Sequence, residues 1–119
     1  MPLAPKVIRD IERPPKELVD ELADYGTATV HEAYQRTGLM HGIRPVVMDN
    51  VVSGTAVTCL NYAGDNLMLH AAIDVAQPGD IIVCAVTAPS EHGMFGELLA
   101  TSAAAFDVRA IALTRRRGT

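Results

Sequence analysis

The residues best suited to chemistry lie in residues 93–102, GMFGELLATS. Two glycines precede a helical pattern, which predicts a loop that turns into a helix. The first turn of a helix offers backbone N–H groups without acceptors and the positive end of the helix dipole, and both suit a small anion. Glu97 adds a carboxylate there, and a carboxylate beside an anion suggests a bridging cation. Glu97 is therefore a candidate catalytic residue, with simple stabilisation of the helix start as the alternative.

The histidines form no metal-binding pattern. His31, His41, His70 and His92 show neither H-x₃-H nor HExxH spacing, so most of them are expected to lie on the surface. His92 adjoins the glycine loop, and His70 falls at the edge of an apolar helix stripe. With Asn66, which also suits a helix N-cap, these two are candidate pocket residues.

Composition predicts one soluble globular domain. The chain has 119 residues, of which 49% are hydrophobic and 20% charged. A net charge of −4 argues against nucleic acid as a partner. No apolar run approaches the ~18 residues of a membrane span, and the first residues lack the apolar core of a signal peptide, so a cytoplasmic protein without a membrane partner is expected.

Other reactive motifs are weak. The sequence contains no P-loop, no GxGxxG and no GxSxG. Cys59 and Cys84 lie in strand-like runs without CxxC spacing, which predicts buried reduced thiols in preference to a metal or redox role. Arg115, Arg116 and Arg117 form a basic tail that is typical of a solvated end.

The pattern of apolar residues predicts an α/β fold. Strands alternate with helices in its second half, and the β–loop–α–β run at 81–113 is typical of a parallel sheet, whose ligands sit at the carboxyl ends of the strands. Strand 81–86 is apolar enough for burial on both faces. The predicted helices are 15–26, 27–36, 67–76 and 97–106, and the predicted strands are 45–48, 51–60, 81–86 and 108–113.

Four segments carry a family resemblance. They are GTAVT at 54–58, GDNLMLHAAI at 64–73, PGD at 78–80 and PSEHGMFGELLATS at 89–102. In this order they resemble the RraA-like aldolase family, and within it the 4-hydroxy-4-methyl-2-oxoglutarate / 4-carboxy-4-hydroxy-2-oxoadipate aldolases. The last segment favours the aldolase branch over the branch that regulates ribonuclease activity.

The resemblance implies a swivelling β/β/α domain that self-associates as a homotrimer or hexamer. It implies a class II aldolase, a lyase that uses Mg²⁺ or Mn²⁺ and cleaves these oxo acids to pyruvate plus pyruvate or oxaloacetate during degradation of aromatic compounds. Oxaloacetate decarboxylation is a further implied activity. The alternatives are a non-catalytic regulator of ribonuclease activity and an inactive, truncated family member.

The resemblance also assigns roles to the residues of the 93–102 segment. The carboxylate of pyruvate would lie at Gly96 against the N–H groups of Leu98 and Leu99, an anion at a helix start. Glu97 would hold a metal-bound water.

The chain departs from the family pattern after Leu113. There the family carries an Arg-Asp pair that contacts the keto oxygen and the metal, whereas this chain reads TRRRGT at 114–119. In ungapped register the pair falls at Gly118 and Thr119, so the direct metal ligand is missing. A domain incomplete at its C-terminus, with little or no aldolase activity, is expected. The predicted single domain, 1–119, has N-terminal helices at about 15–37, a β/α core at about 45–113 and a divergent tail at 114–119.

Overall fold

A long helix precedes three parallel strands that alternate with two shorter helices. In this computed structural model, residues 4–47, 49–88 and 95–114 are described. The alternation confirms the predicted α/β class. The elements are α1 (Lys16–Ala33), β1 (Ala56–Asn61), α2 (Leu67–Val75), β2 (Ile81–Val86), α3 (Glu97–Ala105) and β3 (Ala110–Leu113).

The strands pair in the order β1-β2-β3, and both pairs are parallel. Cys59 lies opposite Cys84, which in turn lies opposite Leu113. Since all three strands run the same way, their carboxyl ends meet at one edge of the sheet, and the loops into α2 and α3 leave from that edge.

The core is aliphatic, as the scarcity of aromatic residues predicts. In β2 every second residue is buried, while the residues between are only partly buried, so the predicted burial on both faces is wrong. The physical reason is that α2, which contacts β1, β2 and α3, covers only one face of a sheet. The buried apolar side chains are Val57, Leu69, Ala72, Ile73, Ala76, Ile82, Cys84, Val86, Leu99 and Ala103.

Helix α1 is two helical segments joined at Gly26, as the glycine predicts. Gly26 has φ 77° and ψ 163°, which interrupts the helix. The second segment ends at Ala33, before the predicted Arg36, because Gln35 and Arg36 adopt left-handed φ values of 58° and 59°. None of the α1 residues is buried. Among the helices of the described ranges, none is both long and apolar enough to cross a bilayer.

The strands predicted at 45–48 and in the first half of 51–60 do not form in the described residues. Val46 is 96% exposed and Asp49 has φ 61°, which breaks an extended run. Met48 lies outside the described residues. Pairing starts at Thr55, whose carbonyl accepts a hydrogen bond from Ile81 N at 2.9 Å. A β-branched run without a neighbouring strand has no acceptors for its backbone groups and stays irregular.

Two ion pairs connect the N-terminal part of the chain to residues that lie just before β2 and β3. Arg13 donates two hydrogen bonds to the buried carboxylate of Asp80, from Nε at 3.0 Å and from Nη2 at 2.7 Å. This carboxylate raises the pKa of Arg13. Arg109 donates to Asp20 at 2.6 Å, and hydrogen bonds from Lys16 and Arg109 hold the pKa of Asp20 below its usual value.

Gly54 lies against the backbone of the turn before β2. A Cβ added at Gly54 would collide with the carbonyl oxygen of Gly79 and would lie 2.8 Å from Ile81 Cγ1. Because that oxygen cannot move without shifting the turn, we expect Gly54→Ala to lower the free energy of unfolding by about 1–3 kcal/mol in urea denaturation. Gly96→Ala is the matched control, since its Cβ meets no described atom within 4 Å. Equal stability of the two variants would contradict the close approach at Gly54.

Candidate functional site

The predicted site residues that the structure describes lie at the carboxyl edge of the sheet. Helix α2 begins in the loop after β1, and α3 begins in the loop after β2. The edge therefore carries Asn66 and His70 from α2 and residues 96–99 from α3, and the two helices contact each other. His92 lies outside the described residues, so its place in the site stays a prediction.

The N-cap residue of α3 supplies no capping side chain. Gly96 is its N-cap residue, with extended φ and ψ of −136° and −169°, and it has no side chain with which to cap the helix. The carbonyl of Gly96 accepts the first helical hydrogen bond, from Ala100 N at 3.0 Å. The N–H groups of Glu97, Leu98 and Leu99 precede any helical acceptor, as at every helix start. Three N–H donors and the positive end of the helix dipole thus lie beside Gly96. A Cβ added at Gly96 would meet no described atom within 4 Å.

Leu98 and Leu99 have opposite surroundings. The Leu99 side chain is buried in the core cluster together with Ala103, one turn further along α3. The Leu98 side chain is 87% exposed. Leu99 therefore anchors the helix start to the core, while Leu98 adds an apolar surface at the mouth of the site.

Glu97 places an exposed carboxylate in the first turn of α3. Its backbone carbonyl accepts a hydrogen bond from Thr101 Oγ1 at 3.0 Å. Within residues 4–47, 49–88 and 95–114, no three His, Cys, Asp or Glu side chains lie together as a metal site requires. Since hard divalent cations take six or more oxygen ligands, Glu97 and its described neighbours do not make a complete site for Mg²⁺ or Mn²⁺.

Asn61 positions the start of α2, and sequence reasoning missed it. The sequence predicts Asn66 as the N-cap, and Asn66 is the N-cap residue. Beside it, Asp65 Oδ1 accepts from Leu67 N at 2.9 Å. The deeper cap is Asn61 at the end of β1, whose Oδ1 accepts from Met68 N at 2.9 Å and from Leu69 N at 3.2 Å. Asn61 is 1% exposed. The sequence does contain a signal for this role, because Asn61 falls at an inward-facing position of an otherwise apolar strand. A buried amide at such a position needs hydrogen-bond partners elsewhere in the fold.

The Asn61 side chain also holds a thiol. Its Nδ2 donates to Cys84 Sγ at 2.7 Å, and Cys84 Sγ donates to the carbonyl of Ala85 at 3.7 Å. Cys59 is the residue paired with Cys84 on the neighbouring strand. Hydrogen bonds from Cys59 and Asn61 favour the thiolate of Cys84 and lower its pKa, whereas the pKa of Cys59 is raised. Both cysteines are free, Cys84 buried and Cys59 half-buried. Their pairing was also missed, although each is the fourth residue of its strand.

A cavity of about 200 Å³ lies along β1 and α2, away from the start of α3. Cys59 is part of its wall, and Lys6, Ile8 and Ile11 of the N-terminal segment form another side. No residue of the 96–99 stretch lines it, so the open helix start and this cavity are separate features of the described structure.

The two roles of Asn61 can be separated by substitution. Asn61→Ala removes the side-chain acceptor of the Met68 and Leu69 N–H groups, of which the Leu69 N–H keeps the carbonyl of Asn66 at 3.1 Å. We expect a loss of about 1–2 kcal/mol in unfolding free energy. Asn61→Asp keeps the acceptor and suits the helix dipole, but loses the donor to Cys84. We expect a smaller loss of stability together with a raised pKa of Cys84, measured as the pH dependence of thiol alkylation. An unchanged alkylation profile in Asn61→Asp would contradict the hydrogen bond to Cys84.

Comparison with known families bears on this arrangement. A family model described as RraA-like, aldolase/RraA, matches residues 27–114, about three quarters of the chain. The matched range begins within α1 and contains β1, α2, β2, α3 and β3.

Proposed function

Because this chain belongs to the RraA-like (aldolase/RraA) family, we propose that the start of α3 binds the carboxylate of a small 2-oxo acid. The proposed substrates are 4-hydroxy-4-methyl-2-oxoglutarate and 4-carboxy-4-hydroxy-2-oxoadipate, cleaved to pyruvate together with pyruvate or oxaloacetate. Oxaloacetate decarboxylation is a further proposed activity of the same site.

The observation that carries this proposal is the uncapped N-terminus of α3. Gly96 leaves the helical N–H groups of Glu97, Leu98 and Leu99 without a side-chain partner from the N-cap residue. A carboxylate is a planar anion that accepts two such bonds at once and gains from the dipole. Burial of Leu99 fixes the donors before the ligand arrives, which reduces the entropy lost on binding.

The reaction class explains why an anchored carboxylate is useful. When the carbon–carbon bond of such a tertiary alcohol breaks, the hydroxyl loses its proton and the bonding electrons become the enolate of pyruvate. A substrate held by its carboxylate keeps the adjacent keto group in one orientation, so that positive groups stabilise the charge as it develops. Orientation of this kind is the role we assign to residues 96–99.

A divalent cation enters the proposal only if residues outside the described ranges supply further ligands for it. Mg²⁺ or Mn²⁺ would supply Lewis-acid stabilisation of the enolate in an aldolase of this type. The described residues offer Glu97 without two further ligands beside it, which does not fit a bound cation. Glu97 is proposed to bind water next to the carboxylate site.

Substitution of Gly96 by aspartate tests the carboxylate site. Gly96 has the extended backbone of an N-cap residue, so Gly96→Asp places its own carboxylate on the free N–H groups. We expect the variant to gain a few tenths of a kcal/mol in stability and to bind pyruvate at least about tenfold more weakly in calorimetry. Ser102→Asp, which adds the same charge to the exposed side of α3, should bind pyruvate like the wild type. Equal pyruvate affinity in all three proteins would refute the site.

Substitution of Glu97 separates a metal role from simple repulsion. If Glu97 helps to hold a hydrated cation, Mn²⁺ will strengthen pyruvate binding to the wild type and not to Glu97→Gln. If Glu97 only repels the anion, Glu97→Gln will bind pyruvate more tightly with or without Mn²⁺, and the metal role is wrong. Pyruvate release from 4-hydroxy-4-methyl-2-oxoglutarate, measured with Mg²⁺, then reports whether the bound state turns over.

Two measurements distinguish the aldolase branch of the family from the branch that regulates ribonuclease activity. Pyruvate binding that depends on Gly96 supports the aldolase branch. Inhibition of a ribonuclease by the protein, unaffected by a chelator and by Gly96→Asp, would instead place it in the regulator branch. Self-association as a trimer or hexamer is also proposed, since Leu98 and Leu60 expose apolar surface on α3 and β1.

A further inference from the structure

Cys59 and Cys84 are placed as a disulfide requires. They are directly paired in neighbouring parallel strands, so both side chains project from the same face of the sheet. Neighbouring strands lie about 4.8 Å apart, within the range of Cα separations that disulfides span. Both thiols are free. Formation of a bond between the two sulfurs therefore needs no displacement of either strand.

The surroundings of Cys84 suit a reactive sulfur. Asn61 Nδ2 donates to Cys84 Sγ at 2.7 Å, and the same amide is held on its other side by the N–H groups of Met68 and Leu69. The donor is thus fixed by α2 and cannot turn away. Hydrogen bonds from Cys59 and Asn61 lower the pKa of Cys84, which increases the thiolate fraction near neutral pH.

The cavity along β1 gives access to the pair. Its volume is about 200 Å³, and Cys59 forms part of its wall. Water occupies about 30 Å³ in the liquid, so a small peroxide fits beside the Cys59 sulfur, next to its paired residue Cys84.

From this geometry we propose that Cys59 and Cys84 form a redox-active dithiol site, in which a hydroperoxide closes a reversible disulfide between β1 and β2. In the first step the Cys84 sulfur, whose pKa is lowered, attacks one oxygen of hydrogen peroxide and the O–O bond breaks. The leaving oxygen takes the Cys84 proton and departs as water, and Cys84 becomes a sulfenic acid. The Cys59 sulfur then attacks the Cys84 sulfur, the S–S bond forms and the hydroxyl leaves with the Cys59 proton as a second water. Two thiols are oxidised and one peroxide is reduced.

Oxidation at this site alters the start of α2. A disulfide sulfur is a poorer hydrogen-bond acceptor than a thiolate, so the Asn61 amide loses its partner on the sheet side. Asn61 also caps α2 through Met68 and Leu69, and the helix carries His70 at the carboxyl edge. A change in the redox state of the pair therefore affects the carboxyl edge of the sheet through the side chain of Asn61. This inference does not depend on the carboxylate site at α3.

The decisive experiment uses the wild-type chain under native conditions. The reduced protein is treated with hydrogen peroxide, quenched, unfolded and alkylated, and intact mass is measured. We expect two alkylated cysteines before oxidation and none after it, with a loss of two hydrogen atoms, a monomer on a non-reducing gel and full recovery by dithiothreitol. Persistence of both thiols, accumulation of sulfinic acid at Cys84, or a disulfide between two chains would overturn the proposal.

A matched variant tests the geometry. Exchange of Thr58 and Cys59 (Thr58→Cys with Cys59→Thr) keeps the composition but moves the thiol to the opposite face of β1, where position 58 pairs with Val83. We expect at least tenfold slower formation of the intramolecular disulfide, with an unchanged circular dichroism spectrum. A disulfide that forms equally fast in the exchanged variant would show that pairing in the sheet is not its cause.

Discussion

The amide of Asn61 joins three parts of this fold that are otherwise held mainly by apolar contact. It ends β1, caps α2 through Met68 and Leu69, and donates to Cys84 in β2. Because the side chain is buried, each of its hydrogen-bonding groups has to find a partner within the protein. The placement of α2 against β1 and β2 gives partners to both its oxygen and its nitrogen. The apolar core favours collapse, and this amide selects the arrangement.

The parallel sheet brings the two helix starts to the same edge, because its strands all end there. The two starts differ in how their backbone N–H groups are capped. The α2 start is closed by Asn61 and Asp65, whereas the α3 start has glycine in place of a capping side chain. Among the described residues, side chains therefore accept from the first N–H groups of α2, whereas the N-cap residue of α3 supplies no such acceptor.

Local patterns predicted much of this arrangement. Periodicity placed α2, β2 and α3 within one or two residues, and Gly26 marked the interruption of α1, because these features depend on neighbours in the chain. What failed depends on distant residues. The run at 45–48 has strand-forming residues but no partner strand. The hydrogen bond from Asn61 to Cys84 and the Cys59–Cys84 pair form only when residues more than twenty positions apart are aligned by the sheet. The open α3 start was predicted as a site, while its completion by other groups was beyond local reasoning.

The ion pair between Arg13 and Asp80 has a bearing on how the chain assembles. It joins residues 67 positions apart, and Asp20 reaches Arg109 across 89 positions. Helix α1 buries none of its own residues, so it gains little by forming alone. Its anchors exist only once the turn before β2 and the start of β3 have taken shape. Docking of this segment therefore depends on contacts of long sequence separation, which carry a large loop-closure cost in folding.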